Sequence, residues 1–147
     1  MRVSVIGGST VSDEHYDQAR EVGRLLGERD HEVVCGGRTG VMEAVCRGAV
    51  ETGGHTIAIL PGEDRADANR FVETAIATGL GNARNALVAL NGDAAIAIDG
   101  GTGTLSEIAL SLDRGIPVAG LESFEIDGVE AAETPAAAVE YVERARE

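Results

Sequence analysis

Four glycine-rich segments constrain the fold of this chain most strongly, because each follows an apolar, β-branched run and precedes a helical pattern. The segments are GGST (7–10), GGRTG (36–40), TGLGNAR (78–84) and DGGTGT (99–104). Strands that alternate with helices in this way form βαβ units and a parallel sheet. The loops that follow parallel strands meet at the carboxyl edge of the sheet, where ligands bind. The sequence therefore predicts an α/β protein with a glycine-lined ligand site.

The apolar periodicity predicts a three-layer, doubly wound, Rossmann-like fold with a mainly parallel sheet of six or seven strands. Residues 1–147 are expected to form one nucleotide- or phosphate-binding domain, since the chain contains no linker and suffices for one core. Ser12 and Thr134 are expected to N-cap the first and last helices, and Pro135 suits the first helical position. Strands are predicted at 2–6, 31–35, 55–60, 72–77, 94–98 and 116–120, with a short edge strand at 129–133.

The segment Gly100–Thr104 has the properties of an anion site. Glycine lets backbone N–H groups approach a ligand, and the helix that follows adds unpaired N–H groups and a positive dipole end. The segment has neither the Gly-Lys-Ser/Thr of a Walker loop nor the GxGxxG spacing of a dinucleotide site, so a smaller phosphorylated molecule is favoured. A tight turn without a ligand is the alternative. The candidate ligand-binding residues are Gly8, Ser9, Gly37, Gly40, Gly100, Gly101, Thr102, Gly103 and Thr104.

Arg84 and Glu107 are the candidate catalytic residues. Glu107 follows Thr104 by three residues, a spacing that fits a helix capping box as well as a catalytic carboxylate, and both interpretations stay open. Arg84 lies near the start of a predicted helix, where its charge opposes the helix dipole and does not stabilise the helix. A surface ion pair is the alternative role for Arg84.

The charge of the chain narrows the choice of partners. Twelve basic residues, all of them Arg, are present with 25 acidic residues, which gives a net charge of −13. Carboxylates in excess and the absence of Lys are typical of proteins adapted to molar salt, where self-repulsion is screened. An acidic mesophilic protein would explain the charge but not the missing Lys, so a halophilic protein is favoured. Nucleic acid is not expected as a partner, because no basic stripe can neutralise phosphates.

The remaining composition predicts a cytoplasmic protein without a metal site. Cys35 and Cys46 lie among apolar residues and lack metal-ligand spacing, so buried thiols are expected, with a redox or ligand role as the alternative. No apolar run approaches the roughly 18 residues that a membrane span needs, and no basic-then-apolar leader is present. No membrane partner is therefore expected.

Four motifs resemble, in order and in strand–loop–helix context, the lysine-decarboxylase-like (SLOG) Rossmann family, which includes the LONELY GUY phosphoribohydrolases. They are GGSTVSDEHYDQA (7–19), GGRTGVMEAVCRGA (36–49), GNARN (81–85) and GGTGTLSE (100–107). The hydrolase signature is Pro-Gly-Gly-x-Gly-Thr-x-x-Glu. The resemblance implies that the Gly100–Thr104 loop binds a 5′-phosphate, with Arg84 and Glu107 beside the N-glycosidic bond of a nucleoside monophosphate. It also implies a homodimer or a larger homo-oligomer.

Two departures from the hydrolase motif point to a second function. Asp99 replaces the Pro of the hydrolases, Asn85 replaces their Lys, and the chain is short. These features resemble a compact branch of the family that includes molybdenum-cofactor carrier proteins, which bind a phosphorylated pterin and do no chemistry on it. The sequence therefore predicts an AMP-like nucleotide hydrolase that requires no cofactor, or alternatively a non-enzymatic carrier of molybdopterin or a related nucleotide. Decarboxylation through pyridoxal phosphate is excluded, since the chain has no Lys to form a Schiff base.

Overall fold

The computed structural model, which describes residues 1–147, contains a seven-stranded sheet with helices on both faces. The strands run in the order β4-β3-β2-β1-β5-β6-β7, and all neighbouring pairs are parallel. This is the predicted three-layer, doubly wound fold, with the short edge strand present as the seventh. The strands are β1 (Arg2–Gly7), β2 (Glu32–Cys35), β3 (Thr56–Leu60), β4 (Thr74–Ala77), β5 (Ala94–Ile98), β6 (Val118–Leu121) and β7 (Val129–Ala132).

Five α-helices cover the two faces of the sheet: α1 (Asp13–Glu28), α2 (Val41–Glu51), α3 (Asn85–Leu90), α4 (Thr102–Asp113) and α5 (Pro135–Ala145). Helices α1, α2 and α5 pack together on one face, and α3 and α4 pack on the other. None of these helices combines the length and the apolar character that a bilayer crossing requires. The predicted caps are confirmed: the Ser12 hydroxyl accepts from the His15 N–H, and the Thr134 hydroxyl accepts from the Ala137 N–H.

The side chains of the central strands alternate between the two cores, as the period of two in a strand requires. Val3 and Val5 of β1 belong to the core beneath α1, α2 and α5. Ile6 belongs to the core beneath α3 and α4, and the Ser4 hydroxyl on that face donates to the Val88 carbonyl at 2.7 Å. The strands are buried on both faces, which explains why their sequences are almost continuously apolar.

Cys35 and Cys46 are core residues between β2 and α2. Both side chains are buried, as expected, and their Sγ atoms are 3.5 Å apart. Neither cysteine lines the cleft described below.

The connections diverge at the centre of the sheet. Strands β1 and β5 are neighbours, but α1 follows β1 on one face while α4 follows β5 on the other. The loops at the carboxyl ends of these two strands therefore separate and leave a crevice between them. In doubly wound folds such a topological switch point is where ligands bind.

Candidate functional site

A polar cleft of about 410 Å³ occupies this switch point. Met42 is the only apolar side chain among its 13 lining residues, so the cleft suits a polar ligand. Eight of the candidate residues from the sequence line it: Gly8, Ser9, Arg84, Gly101, Thr102, Gly103, Thr104 and Glu107. The structure thus brings the first, third and fourth glycine segments together around one space.

Three candidate glycines are not among the residues that line the cleft. Gly37, Gly40 and Gly100 have positive φ angles of 77, 66 and 121°, which favour glycine. A Cβ atom on Gly40 would lie 2.3 Å from the Gly8 carbonyl oxygen, and one on Gly100 would lie 2.5 Å from the Thr104 side chain. These glycines shape the loops that carry the lining residues, and direct contact with a ligand stays a prediction for them.

The amino end of α4 points free backbone amides into the cleft. The helix begins at Thr102, and its N-cap is Gly101, which offers no side-chain acceptor to the first-turn N–H groups. These N–H groups and the positive end of the helix dipole favour an anion. A Cβ atom on Gly101 would meet no atom within 4 Å, so the space in front of the amides is open.

Glu107 is not a helix cap. A capping box requires Thr104 at the N-cap, but α4 begins two residues earlier and Glu107 lies inside the helix. Its side chain lines the cleft and is 8% exposed. Apart from the backbone hydrogen bonds of the helix, the backbone carbonyl of Glu107 accepts a hydrogen bond from the Ser111 hydroxyl. Burial raises the pKa of the Glu107 carboxyl to about 7, although the nearby positive charge of Arg84 opposes this rise.

Arg84 is held in the wall of the cleft by neutral oxygen atoms. Its Nε donates to the Ile59 carbonyl at 2.9 Å, its Nη2 to the Gly36 carbonyl at 3.5 Å, and its Nη1 to Asn85 Oδ1. Burial lowers the pKa of the guanidinium, and the proximity of Glu107 opposes that effect. An arginine nonetheless stays protonated in proteins, so the positive charge remains.

Arg84 does not form the surface ion pair that the sequence left open. It is 9% exposed, and none of the ion pairs in the structure includes it. Glu107 is near enough to attract the guanidinium but forms no ion pair with it, and a buried cation without an ion pair is costly. The arrangement therefore favours an anionic ligand that provides the missing charge.

The carboxylate of Asp99 does not line this cleft. It lies 3.7 Å from Nδ1 of His15 on α1, and Nε2 of the same histidine lies 3.0 Å from a Glu122 carboxylate oxygen. Asp99 also has a positive φ of 50°. The acidic residue at the Pro position of the hydrolase motif thus lies beside α1 and is not among the residues that line the cleft with Arg84 and Glu107.

Five lining residues were not among the candidate site residues from the sequence: Gly7, Thr10, Met42, Asn82 and Asn85. Asn82 lies in the third glycine segment, two residues before Arg84, and Asn85 directly follows that segment. Amide side chains near a candidate anion-binding Arg were an available signal. Met42 looks in the sequence like any apolar core residue of α2, and it does belong to the core beneath α1, α2 and α5.

A sequence model of the SLOG cluster4 family matches residues 1–147. The chain belongs to the SLOG cluster4 family. This confirms the family that the four motifs resembled. An uncharacterised protein of Archaeoglobus fulgidus is 42% identical over 142 residues, which cover 96% of this chain and 93% of that protein.

Two solved structures are similar to this SLOG chain over nearly its whole length. The molybdenum cofactor binding protein from the phototrophic bacterium Rippkaea orientalis is 33% identical, with a TM-score of 0.92 and coverage of 97% of this chain and 95% of that one. The molybdenum cofactor carrier protein of Chlamydomonas reinhardtii is 29% identical, with a TM-score of 0.89 and coverage of 98% and 97%. The chain is thus similar to the compact branch of the family.

Proposed function

We propose that this protein binds a phosphorylated pterin, molybdenum cofactor or a close relative, as cargo in the cleft and does no chemistry on it. The observation that carries the proposal is the buried guanidinium of Arg84, which has no carboxylate partner. It lines the same cleft as the free amides of α4, so a phosphorylated ligand would meet both. A volume of about 410 Å³ is within the usual range for small-molecule sites. The two similar proteins that bind or carry molybdenum cofactor support this ligand.

Hydrolysis of a nucleoside 5′-monophosphate is the second candidate function, and the observation that favours it is Glu107. A carboxyl group with a pKa of about 7 is suited to general acid–base chemistry near neutral pH. The carrier takes precedence over this hydrolase, which the motifs predicted first, because the structurally similar proteins of the compact branch are cofactor-binding proteins.

The carrier function predicts that ligand and protein purify together, and that Gly103→Val removes the ligand without unfolding the chain. A Cβ atom on Gly103 would find only Asn85 Nδ2, at 3.6 Å, and Val is a better helix former than Gly. The branched side chain would instead cover the α4 amides. Mass spectrometry of the small molecules released on denaturation, with elemental analysis for molybdenum, should find a phosphorylated pterin only in the wild type.

The matched control for this experiment is Gly62→Ala. Gly62 lies outside the cleft, and an added Cβ atom would contact only the Asp67 carboxylate, at 3.3 Å. This variant should retain the ligand at the wild-type ratio. A Gly103→Val protein with undiminished ligand would show that the α4 amides do not bind it.

We further propose a homodimer that forms through α3 and α4 in a cytoplasm of high salt. Two chains of net charge −13 repel each other, and screening by salt weakens that repulsion. Across α3 and α4 the only exposed charged residue is Asp113, at the last position of α4. Two of the exposed large apolar side chains, Leu90 and Leu105, lie on these helices; Leu80 precedes α3, and Ile76 lies on the edge strand β4. Such a charge-poor apolar surface is compatible with its own copy across a two-fold axis.

Leu105→Glu should therefore convert a dimer into a monomer in 2 M KCl, as measured by sedimentation equilibrium. Leu105 is exposed on α4, and a carboxylate there would face apolar surface and its own symmetry mate. Arg144→Glu, an exposed site on α5, changes the charge by twice as much on the opposite face and should leave the dimer intact. A wild-type monomer, or a Leu105→Glu dimer, would contradict this interface.

A further inference from the structure

Asn85 connects Arg84 to the amino end of α4. Its side chain is buried, with 6% exposure; Oδ1 accepts from Arg84, and Nδ2 donates to the Ser106 hydroxyl at 3.3 Å. Ser106 in turn donates to the Gly103 carbonyl at 2.7 Å. Two side chains thus link the guanidinium in the wall of the cleft to the first turn of the helix.

We propose that Asn85 is a positioning residue that fixes the Arg84 guanidinium without neutralising it. This inference rests on the proposed anion-binding function and identifies what keeps the cationic group available to the ligand. Each guanidinium nitrogen donates to one neutral oxygen, and the three acceptors are two backbone carbonyls and the amide of Asn85. A guanidinium has five N–H donors, so one on each Nη remains for a ligand.

The two hydrogen bonds of the Asn85 side chain run in opposite directions, which explains why an amide fits position 85. Arg84 can only donate, so the oxygen of the Asn85 amide faces it and the nitrogen faces Ser106. An Asp at position 85 would also accept from Arg84, but it could not donate to Ser106 and would cancel the guanidinium charge. An Ala would leave Nη1 without an acceptor. The neutral amide therefore combines a fixed orientation with a charge that no ion pair neutralises.

The test compares Asn85→Asp and Asn85→Ala with the wild type, using inorganic phosphate as the probe. Phosphate affinity is measured by ³¹P NMR titration, the order of Arg84 by hydrogen exchange at its Nε–H signal, and folding by the unfolding midpoint. Asn85→Asp should lose about tenfold or more in phosphate affinity, because a like charge now faces the anion. Its midpoint should equal or exceed that of the wild type, and the Arg84 signal should stay protected, because the buried cation has gained a partner.

Asn85→Ala should weaken phosphate binding and accelerate exchange at Arg84, since the guanidinium then lacks one of its three acceptors. The control is Asn91→Asp, which makes the same charge change at an exposed position after α3 and should preserve phosphate affinity. Wild-type phosphate affinity in Asn85→Asp, or unchanged Arg84 exchange in Asn85→Ala, would overturn the role of Asn85. If the wild-type protein does not bind phosphate, the anion site is refuted. The hydrogen-exchange rates at Arg84 in the wild type and in Asn85→Ala would still decide whether Asn85 holds Arg84.

Discussion

Replacement of Arg84 by Met is expected to lower the affinity for the phosphorylated ligand by about 100-fold or more. Arg84 is the only cationic side chain that lines the cleft. A hydrogen bond to a charged group contributes about 1.5–3 kcal/mol, and each 1.4 kcal/mol is about a factor of ten in affinity. The loss of one or two such bonds, with the attraction between opposite charges, accounts for the expected factor. Calorimetric titration with the ligand identified by mass spectrometry measures it.

The same substitution should leave the chain folded, because two opposing effects act on stability. Met fills the volume of the arginine stem and removes a buried charge that has no carboxylate partner. Against this gain, the Ile59 and Gly36 carbonyls and the Asn85 amide lose a donor, which costs free energy where no other donor replaces it. We expect a modest decrease in the unfolding midpoint and an intact fold.

Two further variants separate charge from geometry at this position. Arg84→Lys keeps the charge but not the planar group that reaches three acceptors, so its affinity should lie between the wild type and Arg84→Met. Arg114→Met removes the same charge from an exposed residue that follows α4 at its carboxyl end, and should bind as the wild type does. An Arg84→Met protein with wild-type affinity would remove the main support for the proposed function.

The sequence predicted the fold well because the signals for this fold are local. Strands β1, β2, β3 and β5 are apolar runs that are followed by glycine within two residues, and the helices at both ends carry side-chain caps. The start of α4 was harder to predict from the sequence. Thr104 and Glu107 have the spacing of a capping box, but the loop after β5 starts the helix from Gly101, which has no side chain and leaves no signal of a cap.

The environment of Arg84 could not be predicted, because its acceptors are remote in sequence. The Ile59 carbonyl is 25 residues away on β3, and the Gly36 carbonyl is 48 residues away after β2. Gly36 also provides room for the guanidinium, since a Cβ atom there would lie 2.6 Å from Nη2. A glycine segment interpreted as part of a ligand site therefore serves partly to admit a side chain, and only the packed sheet reveals this role.

Glu107→Gln is expected to change how the stability of the fold depends on pH. Burial raises the carboxyl pKa in the folded state from its ordinary value of 4.5 to about 7. Below pH 4.5 the carboxyl is protonated in both the folded and the unfolded chain, and its contribution to the free energy of unfolding is fully present. That contribution is lost as the pH rises through 7. Above that pH the ionised, buried group costs the fold about 3 kcal/mol. Gln does not ionise, so the variant should match the wild type near pH 4.5 and unfold at a higher temperature at pH 8.

Glu107→Gln should also have different effects in a carrier and in a hydrolase. In a carrier, Glu107→Gln removes a negative charge from beside the phosphorylated ligand, so affinity at pH 8 should rise or stay unchanged. In a hydrolase, the same change removes the carboxylate that stabilises the oxocarbenium-like transition state, and the rate should fall by about 100-fold or more. Release of ribose 5-phosphate from nucleoside 5′-monophosphates, with wild type and variant side by side, measures the difference. We expect no release by either protein. Release by the wild type that is lost in folded Glu107→Gln and Arg84→Met variants would reject the carrier and establish the hydrolase, because both residues line the cleft.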